Sequence, residues 1–316
     1  MPIATAIDIK PLHPTFGCEV SGLDLSKPLP DDAFDELRDA VYKYGVVVIR
    51  KTALDDQRAL ALGRRFGELD SSKPHRLAGR KFRLNIDEIF DVGNLDDKDQ
   101  VFTTADPERT AGANGNALFH CDGAYNPRRI GVSILRGVEL PPKGTGGETE
   151  FLDSRAAYDD LLEATKAKIH GLVGGNSLFH NRKTANPDSP LFKNIDPMTK
   201  PQAKHKLAQL HEPSGRMNLY CMSYTHHIDG QPLEEGQELI REIFNHCQQD
   251  RYKLTVHWEN NNDVVIWDNT ATIHRATHGA YEGKYRRDMR RVSVFDTGSQ
   301  AYGENDPSTF WQQGLP

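Results

Sequence analysis

The segment FHCDGAY, residues 119–125, places a histidine and an aspartate two positions apart, with a cysteine between them. On an extended strand successive side chains point to opposite faces, so His120 and Asp122 would share a face and Cys121 would point away. One imidazole and one carboxylate would then meet a single ion, and a third ligand must come from elsewhere in the fold. Spacing alone does not select this pair: among 13 histidines, His227 with Asp229 and His257 with Glu259 repeat the pattern. His227 leads into Pro232 and a helix, which reads as a turn. His257 ends one arm of an expected hairpin and lies only 17 residues before His274, too close for a barrel to fold around a site. His120 is followed by an apolar strand and then by the glycine-rich PPKGTGGETEF.

The third ligand is sought in DVVIWDNTATIHRATHGAYEGKYRRDMRRVSVF, residues 263–295. A strand rich in Val, Ile and Trp ends at Asp268–Asn269, and His274 is expected in the connecting loop. Two histidines and one carboxylate with other positions open suit non-haem Fe(II) and its oxygen chemistry. Structural zinc is normally closed by four ligands, often thiolates, and an alternating strand withholds Cys121. Farther on, alternation puts Arg287 and Arg291 on one face with Met289, and Arg286 and Arg290 on the other with Asp288. One pair can thus face a buried site while the other meets solvent or Asp288, although a solvated basic strand end is the plainer alternative. A guanidinium holds a carboxylate bidentately, as a dicarboxylate cosubstrate or an acidic substrate requires. Thr149 offers a hydroxyl donor after Gly146 and Gly147.

These residues need a scaffold. Residues 31–44 predict a helix with Phe34, Leu37 and Val41 on one face and Gly45 as its stop; GVVVIR follows as a buried strand. Further helices are expected over DDQRALALGRRFG, over SRAAYDDLLEATKAKIHG behind a capping Asp153, and from Pro232 over PLEEGQELIREIFNHCQQ. Short strands are expected from Ile130, Met217, Tyr252, Asp263 and Arg290. Several short strands without regular strand–helix alternation favour a jelly roll or sandwich over a doubly wound sheet. Residues 1–316 read as one domain, with a lid or insert at 70–117 and a variable segment at 165–210; loops of that length usually cover or bind something.

Composition narrows the partners. Of 316 residues, 39 are Lys or Arg and 45 Asp or Glu, giving a net charge of -6 with no long basic run, so no nucleic-acid partner is expected. GVVVI is the longest aliphatic run, far below the roughly 20 apolar residues of a membrane span. The first residues lack the pattern of a secretory signal, and the four cysteines form no C-x-x-C pair. A cytoplasmic protein with free thiols is the expectation; a homo-oligomer is allowed but not indicated.

The chain resembles the taurine dioxygenase and 2,4-dichlorophenoxyacetate dioxygenase family of Fe(II)/2-oxoglutarate enzymes. The blocks that carry the likeness are PLHPTFGCEVSGLDLSKPL, the helix leading to GVVVIR, RALALGRRFGEL, FHCDGAY, GGETEFLDSRAAYDDL, HEPSGRMNLY, VIWDNTATIHRAT and RRDMRRVSV. They run in family order over a little over half the chain. The resemblance implies a mainly β fold with flanking helices, a double-stranded β-helix (jelly roll, cupin-like) core. It implies His120, Asp122 and His274 as iron ligands, Thr149 and Arg287 as the clamp for the distal carboxylate of 2-oxoglutarate, and Arg291 as the anchor for an acidic substrate. Tyr125 is a candidate pocket wall. The implied reaction consumes O2 and 2-oxoglutarate, oxidises an unactivated C–H bond of a small acidic substrate (a carboxylate, sulfonate or amino acid), and releases succinate and CO2. Oxidative cyclisation or desaturation on the same iron, and a non-catalytic β-barrel sensor for small acids, are the alternatives. Taurine dioxygenase has a His-x-His-Pro stretch after FGEL; this chain reads FGELDSSKPH, with His75 beyond the proline, so taurine is not the expected substrate.

Overall fold

A computed structural model describes residues 7–73, 83–102 and 107–309. Its largest sheet has seven strands, in the order Asp8–Pro11, Cys18–Ser21, Val46–Ile49, Val264–Asp268, Ile130–Glu139, Asp288–Phe295 and Phe90–Asp91. Every pairing in it is antiparallel except Cys18–Ser21 with Val46–Ile49. A three-stranded sheet, Lys253–Val256, Thr149–Asp153 and Thr272–Ala276, packs against its inner face. The contact follows strand alternation: Val46, Val48, Leu135, Val265, Trp267 and Met289 meet Phe151, Leu254 and Val256 in one buried cluster. Alternate residues of the same large-sheet strands, including Val47, Ile134, Ile266 and Val292, face the other way onto Phe34, Leu37, Val41 and Leu60. The result is a jelly roll of two facing sheets flanked by helices, the architecture the short strands imply. Burying a large apolar side chain in this way contributes about 1.5–3 kcal/mol.

The two N-terminal helices are Asp31–Tyr44 and Asp56–Phe66. The first ends at Gly45, whose φ of 74° a side chain would strain and whose added Cβ would meet Thr272 Cγ2 at 2.8 Å. Asp55 caps the second by accepting from Arg58 N. The expected helix from Ser154 is two, Ser154–Asp159 and Glu163–Ile169. Asp153 does cap the first, but the chain turns at Asp160, whose carboxylate accepts from the Tyr252 hydroxyl at 2.8 Å. Leu161 is drawn into the core while Leu162 stays exposed. Leu233–Cys247 packs on the strand Thr225–Ile228 and buries Leu239, Ile240 and Ile243. The 70–117 region is not wholly irregular: it contains a helix, Pro107–Asn116, which packs on Leu178–Ala185. The 165–210 segment carries strands at Val173–Asn176, Ala203–Lys206 and Ala208–His211. No helix among the described residues is long and apolar enough to cross a membrane.

Candidate active site

His120 and Asp122 do not sit on a common strand, as alternation would have it. His120 forms a single antiparallel bridge with His274, each backbone N–H donating to the other's carbonyl at 2.8 Å. The chain then turns at Asp122, with Gly123 at a φ of 61°. His274 lies not in a loop but on the strand Thr272–Ala276, paired with Thr149–Asp153. The bridge, rather than a shared strand face, brings the two rings together, with centroids 4.4 Å apart. Cys121 is buried and directs its Sγ at the Thr272 carbonyl, away from the pair.

The donor atoms of His120, Asp122 and His274 all lie within 4.8 Å of one another and all three residues are buried. Asp122 Oδ1 is 3.9 Å from His120 Nε2, and Oδ2 is 3.7 Å from His274 Nε2. An ion with bonds of about 2.1 Å draws adjacent ligands to about 3 Å apart, so small side-chain movements suffice. His120 Nδ1 donates to the Leu118 carbonyl at 2.7 Å, which assigns its proton and leaves Nε2 as the free lone pair. His274 Nδ1 has no such partner; packing against Trp267 and Phe151 sets that ring. Two neutral imidazoles and a carboxylate with no thiolate fit an open iron site.

Protonation favours a metal. Burial lowers the His120 imidazole to about 4 and holds His274 well below the usual range, despite the attraction of Asp122. Burial alone would raise Asp122, but Arg291, His274, His120 and the Ser133 hydroxyl together hold its carboxyl below the ordinary value. All three side chains are therefore already in forms that could bind a metal near neutrality. Metal affinity should change by less than about threefold between pH 7.5 and 6, where ordinary imidazoles of pKa about 6.5 would begin to compete for protons. Mn(II) titration followed by electron paramagnetic resonance checks this; a tenfold loss by pH 6 would contradict it.

The odd-numbered arginines face inward. Arg287 is buried and donates from Nη2 to the Gly147 carbonyl at 3.0 Å, over the Tyr281 ring. It forms no ion pair among the described residues, and burial pushes its guanidinium down. Gly147 leads to Thr149, a buried residue whose hydroxyl accepts from Trp258 Nε1 at 3.2 Å. Arg291 donates from Nη1 to Asp122 Oδ1 at 2.5 Å, while its buried Nε has no acceptor among the described residues. The even-numbered pair is spent on structure: Arg290 on Asp288 and Asp56, Arg286 on Glu139 and Asp99. Tyr125 is half-buried, edge-on to Tyr224 at 5.0 Å; Tyr224 in turn meets the His120 ring at 5.8 Å. The remaining His-x-acid pairs lie elsewhere. His227 is on the strand Thr225–Ile228, not in a turn, and His257 is exposed opposite Glu148. His278 pairs with Glu282. His75 falls outside the described residues.

Sequence reasoning missed the residues that hold Asp122. Ser133 Oγ donates to Asp122 Oδ2 at 2.7 Å, and Asn269 Oδ1 accepts from the Asp122 backbone N–H at 3.0 Å. Asn269 Nδ2 donates to Ser133 Oγ, and Trp267 Nε1 to Asn269 Oδ1, closing the network. A signal existed: Ser133 interrupts the apolar run of IGVSIL, and a buried hydroxyl needs a partner. Tyr224 had no comparable signal.

Residues 8–293 match the family model described as taurine catabolism dioxygenase TauD, TfdA family. The alpha-ketoglutarate-dependent 2,4-dichlorophenoxyacetate dioxygenase of Burkholderia sp. (strain RASC) is 30% identical over 289 residues, 92% of this chain and 94% of the relative. The alpha-ketoglutarate-dependent sulfate ester dioxygenase of Pseudomonas putida is 26% identical, over 93% of this chain and 91% of its own. Among solved structures, AAD-2 in complex with Mn(II) and N-oxalylglycine superposes with a TM-score of 0.84 at 30% identity, covering 93% of this chain and 99% of that one. With that match along nearly its whole length and a His–Asp–His cluster at its centre, the chain belongs to the taurine catabolism dioxygenase TauD, TfdA family, as a dioxygenase that uses Fe(II), 2-oxoglutarate and O2.

Proposed function

We propose that this enzyme oxidises an unactivated C–H bond of a small organic acid, with release of succinate and CO2. In this reading His120, Asp122 and His274 hold the iron, and Arg287 with Thr149 holds the far carboxylate of 2-oxoglutarate. The bound iron and 2-oxoglutarate supply the activation of dioxygen and the oxidising equivalents. The protein's own contribution is placement. Ser133 and Asn269 hold the Asp122 carboxylate in one orientation, Trp267 and Phe151 hold the His274 ring, and the buried walls exclude water.

The observation that carries the acid assignment is the buried Arg291 Nε, which has no acceptor among the described residues. Its Nη1 already engages Asp122, so the guanidinium lies against the metal cluster with a donor to spare. An unsatisfied buried donor on a charged group costs about 1–3 kcal/mol or more, which a substrate carboxylate or sulfate oxygen would relieve. Relatives named for phenoxy acids and sulfate esters agree with an anionic substrate. Arg291→Gln should raise KM for the acid by about 10- to 100-fold while leaving 2-oxoglutarate affinity within about twofold. Oxygen uptake and succinate formation, measured with phenoxyacetates, alkyl sulfates and amino acids, test the reading. If no acid raises succinate above the substrate-free rate, it falls.

A further inference from the structure

Arg182 is a further buried guanidinium near this site; like Arg287 it has no carboxylate partner among the described residues, but its acceptors are side-chain amides rather than a backbone carbonyl. It lies on the helix Leu178–Ala185 with about 7% of its surface exposed. Its partners are neutral amides: Nη1 donates to Asn181 Oδ1 at 2.6 Å, and Nη2 reaches Asn116 Oδ1 only at 3.5 Å. Its Nε is buried with no acceptor among the described residues. It forms no ion pair among the described residues, whereas Arg83, Arg129, Arg136, Arg290 and Arg291 each have a carboxylate. Isolating a cation in this way costs several kcal/mol unless a counter-charge arrives.

The fold makes room for the arrangement. Asn181 donates to the Gly115 carbonyl and to Ser223 Oγ, tying the helix Pro107–Asn116 to the residue before Tyr224. A Cβ on Gly115 would stand 1.9 Å from Arg182 Nη1, so the helix approaches the guanidinium as closely as a glycine permits. Through Asn181 and Ser223 the Arg182 guanidinium is tied to the residue before Tyr224, whose ring meets Tyr125 at 5.0 Å and His120 at 5.8 Å. Arg291 has Asp122 for its charge; Arg182 has no counterpart.

We propose that Arg182 is a second substrate-binding cation, and that the substrate carries an additional anionic group for it, a diacid rather than a monoacid. This rests on the acid-oxidising reading above. In it, Arg291 holds the acid next to the iron, Arg182 holds the second acid, and Tyr125 and Tyr224 flank the body between them.

The test is calorimetric titration of the anaerobic Fe(II)–2-oxoglutarate holoenzyme with phenoxyacetate and with 2-, 3- and 4-carboxyphenoxyacetate, which vary the spacing between two acids on one body. At least one diacid should bind about tenfold or more tighter than phenoxyacetate, the scale of one added charge-assisted contact. Arg182→Gln should erase that preference while phenoxyacetate and 2-oxoglutarate affinities stay within about twofold. Equal binding of all four acids, or a preference that survives Arg182→Gln, overturns the assignment and leaves the monoacid reading standing. Binding of none of them removes both. Should Arg182→Gln not fold, Arg182→Lys decides: loss of the planar fork should cost at least about threefold of the preference, and an unchanged preference overturns the proposal.

Discussion

Asp122→Ala should abolish turnover and weaken Fe(II) binding by more than about 100-fold, because even the partners of metal ligands are worth 10- to 100-fold. In the proposed site the carboxylate is the one anion beside two neutral imidazoles, and it spans both rings at 3.7 and 3.9 Å. Its loss also leaves the Arg291 guanidinium and the Ser133 hydroxyl without their acceptor. The variant should therefore lose metal rather than only rate. Equilibrium dialysis against Fe(II) or Mn(II), with thermal unfolding as a control for folding, measures this; a variant that folds, retains one metal per chain and loses only rate would contradict it.

Arg287→Met should raise KM for 2-oxoglutarate by at least about 30-fold, since leaving one partner of a buried charge pair uncompensated costs 2–5 kcal/mol. Met approximates the apolar stem of Arg, so packing over Tyr281 is largely kept while the fork that reaches Gly147 is removed. Metal affinity should be unchanged, because among the described residues Arg287 makes no bond to His120, Asp122 or His274, the proposed ligands. Succinate formation against 2-oxoglutarate concentration gives the value. A KM within threefold of wild type would remove Arg287 from the cosubstrate clamp. Together with Asp122→Ala this separates loss of the metal from loss of the cosubstrate.

Residue type and spacing selected His120, Asp122 and His274, and the fold brings them together, though by a different geometry. Two-residue spacing implied a strand, whereas the pair is joined to the core by one backbone bridge and a turn at Gly123. A single bridge leaves no periodic trace in a sequence, and neither does the strand position of His274, whose neighbours Thr272 and Arg275 resemble loop residues. Strand alternation worked where a strand was long: Asp288–Phe295 turns Met289 into the core, Arg291 toward Asp122 and Arg290 toward Asp288, while Arg287, just before the strand, is buried against Gly147. The Ser154 helix was read too long because helical propensity runs through Asp160–Leu162, and the tertiary bond from Tyr252 overrides it. Arg182 was invisible because its meaning lies in what it lacks. A missing counter-ion is a property of three dimensions, whereas in sequence it is one arginine beside a lysine in a polar stretch.

The central claim is that one cluster, completed by His274, assembles iron and 2-oxoglutarate together. Anaerobic addition of Fe(II) and then 2-oxoglutarate to the wild-type protein, followed by visible absorption, tests it most directly. The account predicts a charge-transfer band that needs both components, is absent in His274→Ala and requires far more 2-oxoglutarate in Arg287→Met. No band in the wild type, or an undiminished band in His274→Ala, would contradict it.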